Sequence, residues 1–337
     1  MNTFKVINGN SSLPKYRQIV QSVIEGIEKG MLKKGQQLPS INELATANAT
    51  AKETVTKAYG ELREMGVIIA RHGKGFYIAK TKAKLGLNIF VLFDTFNAYK
   101  EVLYNALKAA LPSDSQFSIF FHHYHLKQFA QLINDNLGSY NYYVIMPHFD
   151  TDVSAIVNTV PRDKFLLLDS DVPKLENGYA AVYQDFENDI YNGLKMGLPL
   201  IKKYRRLHLV AGYEHLQYVP VPIVKGFKKF CSSYGIAGEV MDNLKEETLN
   251  EDEAYLIFTD TDMIRFIKYC DKMKWRPGKE IGLISYDDTP LKEILLGGVT
   301  VISTDFAKMG KTAGELISGK KVEKIANDSL FIKRKTL

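Results

Sequence analysis

Apolar residues recur at three- and four-residue steps from Tyr16 through Ile19, Val20, Val23 and Ile24 to Ile27, the spacing of one buried helix face. Pro14 suits the entry of such a helix and Gly30 its exit, so a first helix is predicted between them. Ser40-Ile41-Asn42-Glu43 then has the form of a capping box, with Ser40 accepting from a first-turn amide and Glu43 reaching back to the amide of Ser40. Thr50-Ala51-Lys52-Glu53 repeats the device, and Val55, Ala58, Tyr59, Leu62 and Met65 follow at helical spacing until Gly66. The short gap between Ala45 and Thr50 makes the pair a helix-turn-helix. Val67–Arg71 and Phe76–Ala79 flank the turn His72-Gly73-Lys74-Gly75 and predict a two-stranded wing.

From Asn88 the rhythm changes. Short continuous apolar runs at 89–93, 117–121, 142–146, 165–168, 207–210, 255–258 and 281–284 alternate with helix-period segments at 99–111, 126–137, 189–203, 223–234 and 262–274. Apolar strands separated by amphipathic helices predict parallel sheets covered on both faces, the doubly wound α/β class. The expected division is a winged helix-turn-helix over 1–79, a basic polar linker over 80–87 and a doubly wound α/β domain over 88–337.

Charge sharpens this division. The chain of 337 residues carries a formal +6, but residues 1–87 hold 14 basic against 6 acidic side chains, a net of +8, which leaves −2 for the rest. No apolar run reaches the roughly 18 residues of a membrane span, and the first 14 residues show no signal-peptide pattern, so a cytoplasmic protein is expected. Two cysteines far apart, Cys231 and Cys270, give no support to a disulfide scaffold or zinc ribbon.

A basic helix-turn-helix suits DNA. The start of the third helix offers Lys52, Glu53, Thr54 and Thr56 to base edges and phosphates, and the wing tip offers Arg71, His72, Gly73 and Lys74 to phosphate or the minor groove. In order and spacing, Pro14-x-Tyr16, Gly35-x-x-Leu38-Pro39-Ser40, Glu43-Leu44-Ala45, Thr54-Val55, Ala58-Tyr59-x-x-Leu62, Gly66 and the wing 71–76 resemble the winged helix of the GntR (gluconate-repressor) family. That resemblance implies double-stranded operator DNA as partner and contacts at Asn42, Lys52, Glu53, Thr54, Thr56, His72 and Gly73, with Ser40 beside them. Asn42 and Thr56 stand where the family usually has Arg, Ala51 where it has Ser or Thr, and Lys52 replaces a frequent Arg. Fewer guanidinium forks mean less bidentate guanine readout, and Asn42 suits adenine instead.

In doubly wound folds ligands bind beyond the carboxyl ends of the strands. Those ends hold Asp94-Thr95-Phe96, Pro147-His148-Phe149, Asp169, Tyr213, Thr259-Asp260 and Tyr286-Asp287, carboxylates and hydroxyls for a polyol with aromatic rings for a sugar face. Each such residue also has a plain structural reading, as a helix cap or rim packing. Val224-Lys225-Gly226-Phe227, Thr259-Asp260, Ile284–Asp288 and Leu330–Thr336 resemble the effector domain of the lactose/galactose-repressor family, itself similar to periplasmic sugar-binding proteins. The resemblance implies two lobes hinged by crossing segments, a homodimer, and a small carbohydrate in the cleft. By position it assigns Asp94, Asp260 and Asp287 as contacts, then Phe149 and Asp185. The family's usual sugar-binding Arg, three residues before Gly226, is Ile223 here.

Three other signals are weak. Gly310-Lys311-Thr312 ends like a P-loop but Asp305 stands where the leading Gly belongs. His122-His123-x-His125 has no carboxylate partner at ligand spacing, so neither metal nor cofactor is expected. Some winged helices of this kind are fused to pyridoxal-dependent aminotransferase-like domains, but the Schiff-base Lys motif is missing. The expectation is a non-enzymatic regulator, with an enzyme-like or non-sugar sensory domain as the alternative.

Overall fold

The computed structural model describes residues 7, 14–79, 87–211, 219–245 and 248–337. The linker expected at 80–87 lies outside them, apart from Leu87.

Helix α1 (Lys15–Glu28) buries Ile19, Val20, Val23 and Ile27, the face read from the periodicity. Helix α2 (Ile41–Ala47) starts on the expected capping box. The Glu43 amide donates to Ser40 Oγ at 3.2 Å and the Ser40 amide to Glu43 Oε2 at 2.7 Å. The second box does not form. Helix α3 (Lys52–Glu64) has Ala51 as its N-cap, which offers no side-chain acceptor. The Thr50 amide instead donates to Ala45 O at 3.1 Å, closing the inter-helix turn. That moves the helix start one residue on and puts Glu53 at the second helical position, too early to reach back to its cap. Strands β1 (Ile68–Arg71) and β2 (Gly75–Ile78) pair antiparallel with Arg71 opposite Gly75. Gly73 and Gly75, at φ +69° and +88°, take the left-handed backbone this tight wing requires. Val55, Ala58 and Leu62 are fully enclosed in the small core. Beside them Tyr59 donates to Pro39 O at 2.7 Å and meets the Phe76 ring edge-on.

The rest of the described chain forms two six-stranded sheets with helices around them. The first lobe runs through β3 (Asn88–Phe93), α4 (Ala98–Ala109), β4 (Gln116–Phe121), α5 (Leu126–Asn136), β5 (Tyr142–Ile145), the single turn α6 (Ser154–Val157), β6 (Phe165–Asp169) and β7 (Ala180–Tyr183). The second comprises α7 (Phe186–Ile201), β8 (Arg206–Val210), α8 (Val221–Tyr234), β9 (Gly238–Met241), β10 (Glu253–Ile257), α9 (Asp260–Met273), β11 (Gly282–Tyr286), α10 (Pro290–Ile294) and β12 (Thr300–Thr304). The chain then returns through α11 (Phe306–Gly319) and β13 (Lys324–Ala326) to the first lobe, and ends in β14 (Ser329–Ile332) of the second. Sheet orders are β13-β7-β6-β5-β3-β4 and β14-β12-β11-β10-β8-β9. Three segments thus cross between the lobes, at residues 184–185, 304–305 and 327–328. All seven apolar runs are strands. The parallel expectation fails at β14, which pairs antiparallel with β12 and closes that sheet.

Glycines set the close helix contacts. A Cβ on Gly310 would lie 2.3 Å from Leu103 O, and one on Gly314 would lie 2.5 Å from Ala110 Cβ, so α11 meets α4 through its glycine face. This accounts for Gly310-Lys311-Thr312 without any phosphate. Gly226 likewise lets α8 approach α7, where a Cβ would sit 2.3 Å from Glu187 O. Among the described residues no helix is long and apolar enough to cross a membrane.

Candidate functional site

Two groups of side chains carry chemistry. In the winged helix Asn42, Lys52, Glu53, Thr56, Arg71, His72, Gly73 and Lys74 are exposed, and Thr54 is half-buried. Some of these groups are already committed. The Ser40 hydroxyl serves the α2 cap, and Thr56 Oγ1 donates back to Lys52 O at 2.9 Å. The Arg71 guanidinium lies over the Tyr77 ring, 4.7 Å from its centroid, which orients it along the wing. Gln37 Nε2 donates to Lys74 O at 2.8 Å and ties the wing tip down.

The second group lies at the carboxyl ends of the strands, where the two lobes face each other around a cavity of about 60 Å³. That is room for a few waters, so a monosaccharide requires the lobes to part. A buried row of charges forms its first-lobe side. Asp94, just after β3, holds the ammonium of Lys100, and its other oxygen is 2.7 Å from His148 Nδ1. His148 Nε2 is 3.2 Å from Asp169 Oδ2, and Gln184 Nε2 donates to Asp169 Oδ1 at 2.5 Å. Tyr286 of the second lobe then donates to Gln184 Oε1 at 3.2 Å. The charges alternate in sign along the row, which is what allows Lys100 and Asp94 to be 1% exposed each.

Burial alone would raise the Asp94 carboxyl, but His148 and Lys100 beside it hold it well below the usual carboxylate range. Burial opposes charge on His148, yet Asp94 and Asp169 push its pKa up to about 9, so it is an imidazolium at neutral pH. Asp287 goes the other way. Burial pushes its carboxyl up to about 7, Asp169 adds to the shift, and Lys292 opposes it. Its Oδ1 is buried without a hydrogen-bond partner. Asp169 and Asp287 both have left-handed backbone, φ +70° and +60°, strain that clusters at binding sites. Lys292 supports the second of these turns by donating to the carbonyls of Tyr286 and Asp287, each at 2.8 Å.

Of the expected cleft residues, Asp94, Thr95, His148, Asp169, Tyr286 and Asp287 line the cavity. Four others lie off it. Phe96 is 50% exposed beside Phe121, and Phe149 stacks on His122 at 4.8 Å, packing as the rim residue it otherwise reads as. Asp185 caps α7 from the 184–185 crossing, and Asp260 is the exposed first residue of α9, so helix initiation uses both. Tyr213 lies outside the described residues. Ile223 also lines the cavity, at the position where the resemblance has a sugar-binding Arg, and Asn97, Tyr99, Tyr124, Gln184, Phe186, Pro220 and Phe258 line it without having been read from the sequence. They follow strands or open helices, but little else in their local pattern marks them.

The first histidine of the triplet is structural. His122 Nε2 is 3.0 Å from Met146 O and its Nδ1 accepts from the Tyr124 amide at 3.2 Å, leaving no lone pair for a metal. Burial pushes its pKa down to about 4, keeping it neutral. Among the described residues no group of three His, Cys, Asp or Glu side chains has the geometry to hold a metal ion.

Residues 15–78 match the gntR family of bacterial regulatory proteins. The winged helix is a gntR-family domain. This chain is 45% identical over 74 residues to the HTH-type transcriptional repressor YtrA of Bacillus subtilis (strain 168), covering 22% of this chain and 57% of that protein. It is 32% identical over 73 residues to the arabinose metabolism transcriptional repressor of Geobacillus stearothermophilus, covering 22% of this chain and 20% of that repressor. The chain thus spans little more than half of one curated relative and a fifth of the other. The two lobes have likenesses of fold. The trehalose repressor from Escherichia coli superposes with a TM-score of 0.60 at 14% identity, covering 73% of this chain and 99% of that one. The lac repressor dimer bound to operator and the anti-inducer ONPF gives 0.60 at 18%, covering 75% and 95%. A gntR-family winged helix is therefore followed by lobes of the lac-repressor, periplasmic-binding-protein-like fold.

Proposed function

We propose that this chain is a ligand-responsive transcription regulator, a cytoplasmic homodimer that binds double-stranded operator DNA through the winged helix and a small uncharged carbohydrate in the cleft. The observation that carries the ligand half is the buried row Lys100–Asp94–His148–Asp169. It cancels its own charge, so an ion of either sign gains little there, while the unpartnered Asp287 Oδ1 calls for a donor. A sugar hydroxyl is an uncharged donor. The exposed Asn42, Lys52, Glu53, Thr54 and Thr56, with Ser40 beside them, supply contacts in the major groove, and Arg71, His72, Gly73 and Lys74 contact the backbone or minor groove. Closing the lobes on the ligand shifts operator affinity through a coupling of about 1–3 kcal/mol, and reciprocity makes operator shift ligand affinity equally.

The test is binding to the DNA upstream of its own gene across a salt series, joined to a thermal-shift screen of monosaccharides with and without that DNA. Affinity is expected to fall about 10³-fold between 50 and 200 mM salt as counterions return to the phosphates. Asp287→Ala is expected to abolish the ligand shift and leave DNA affinity intact. Salt-insensitive DNA binding, or loss of DNA binding in Asp287→Ala, rejects the scheme.

A further inference from the structure

The two walls of the cleft differ in kind. Among the described residues the first-lobe side presents Asp94, Thr95, Asn97, Tyr99, Tyr124, His148, Asp169 and Gln184, every one with a polar group. The second-lobe side presents Phe186, Pro220, Ile223 and Phe258 together with Tyr286 and Asp287. The Tyr286 hydroxyl is already given to Gln184, and its ring stacks on Phe258 at 4.7 Å. Among the described residues that wall keeps one unsatisfied polar atom, Asp287 Oδ1, in an otherwise apolar surface. Ile223 and Pro220 are aliphatic, so they form no ring platform for a sugar face. They form a seat for an aliphatic group.

A hydroxyl pressed against Ile223 and Pro220 leaves water and finds no partner, whereas a methyl group there gains burial and loses nothing. Building on the carbohydrate-sensor reading, we propose that the ligand is a 6-deoxy sugar. Its ring hydroxyls meet the polar wall and Asp287, and a methyl group sits against Ile223, Pro220 and Phe258 where an ordinary hexose carries its hydroxymethyl. Ile223 is the residue that sets this preference. An apolar pocket discriminates against one added hydroxyl by about 10- to 100-fold, which is the preference expected for the deoxy member of a matched pair.

Calorimetric titration of the full chain with matched pairs decides it: 6-deoxy-D-galactose with D-galactose, 6-deoxy-L-galactose with L-galactose, 6-deoxy-L-mannose with L-mannose, and 6-deoxy-D-glucose with D-glucose. At least one deoxy sugar is expected to bind about 10- to 100-fold tighter than its parent, and Ile223→Asn to shrink or reverse that ratio. If Ile223→Asn does not fold, the wild-type pairs decide alone. Parents that bind as tightly as their deoxy partners in every pair overturn the inference and leave the carbohydrate reading standing. An unchanged ratio in folded Ile223→Asn removes the role given to Ile223. Absence of binding by all eight sugars, with DNA binding intact, overturns both.

Discussion

Lys52 and Lys100 put the same ammonium to opposite uses. Lys52 opens α3 on an exposed face of the winged helix, so its charge is left for a partner from solution. Lys100 sits in the first turn of α4, is 1% exposed, and is answered inside the fold by Asp94. A charge at the surface is worth little to the fold and much to binding. A buried charge is bound into the fold first, as one member of the row it completes.

Putting the same substitution at both positions gives the largest contrast. Lys100→Met strands a buried Asp94 carboxylate and is expected to lower the unfolding free energy by about 3–5 kcal/mol in urea titrations. Lys52→Met is expected to change it by less than about 0.5 kcal/mol while weakening operator binding. A Lys100→Met protein as stable as wild type breaks the comparison.

A smaller effect comes from pH. The folded state holds a proton on Asp287 more tightly than the unfolded chain does, because its carboxyl is pushed up to about 7. The stability this gives is fully present below pH 4 or so and is lost as pH rises through about 7. Asp287→Asn is expected to flatten the fall in melting temperature between pH 5 and 8 and to exceed wild type at pH 8. Asp189, likewise pushed up to about 7 by burial and by Asp185, keeps a residual slope in the variant. A slope unchanged by Asp287→Asn shows that the cleft carboxylate is already satisfied.

The smallest effect sharpens the picture of the winged helix. Ser40→Ala removes a formed cap and is expected to cost about 1 kcal/mol by thermal or urea denaturation, whereas Thr50→Ala removes a side chain that caps nothing and is expected to cost much less. Equal losses contradict the cap assignment.

These contrasts also explain what could be read from the sequence. The winged helix is built from local contacts, so periodicity, capping residues and turn glycines report it almost element by element. Even its one error, the Thr50 box, is a shift of a single residue. In the lobes the seven continuous apolar runs announce themselves, but the edge strands β9, β13 and β14 carry Glu239, Lys324 and Ser329 among their few apolar residues, so no continuous run marks them. The cleft was half legible. Asp94, His148 and Asp287 stand at strand ends, where the fold class directs attention. Lys100 and Gln184 matter through residues 6 and 15 positions away, and Tyr286 reaches Gln184 across 102. No local pattern encodes such a row.

The return of the chain through the hinge has a consequence for biosynthesis. Strands β13 and β14 follow every other strand of both sheets, so during translation each lobe lacks one of its two edge strands until residues 324–332 have left the ribosome. The winged helix needs nothing beyond residue 79 for its own core and folds while the lobes are still being made. A nascent chain therefore acquires its gntR-family winged helix well before it acquires a complete cleft.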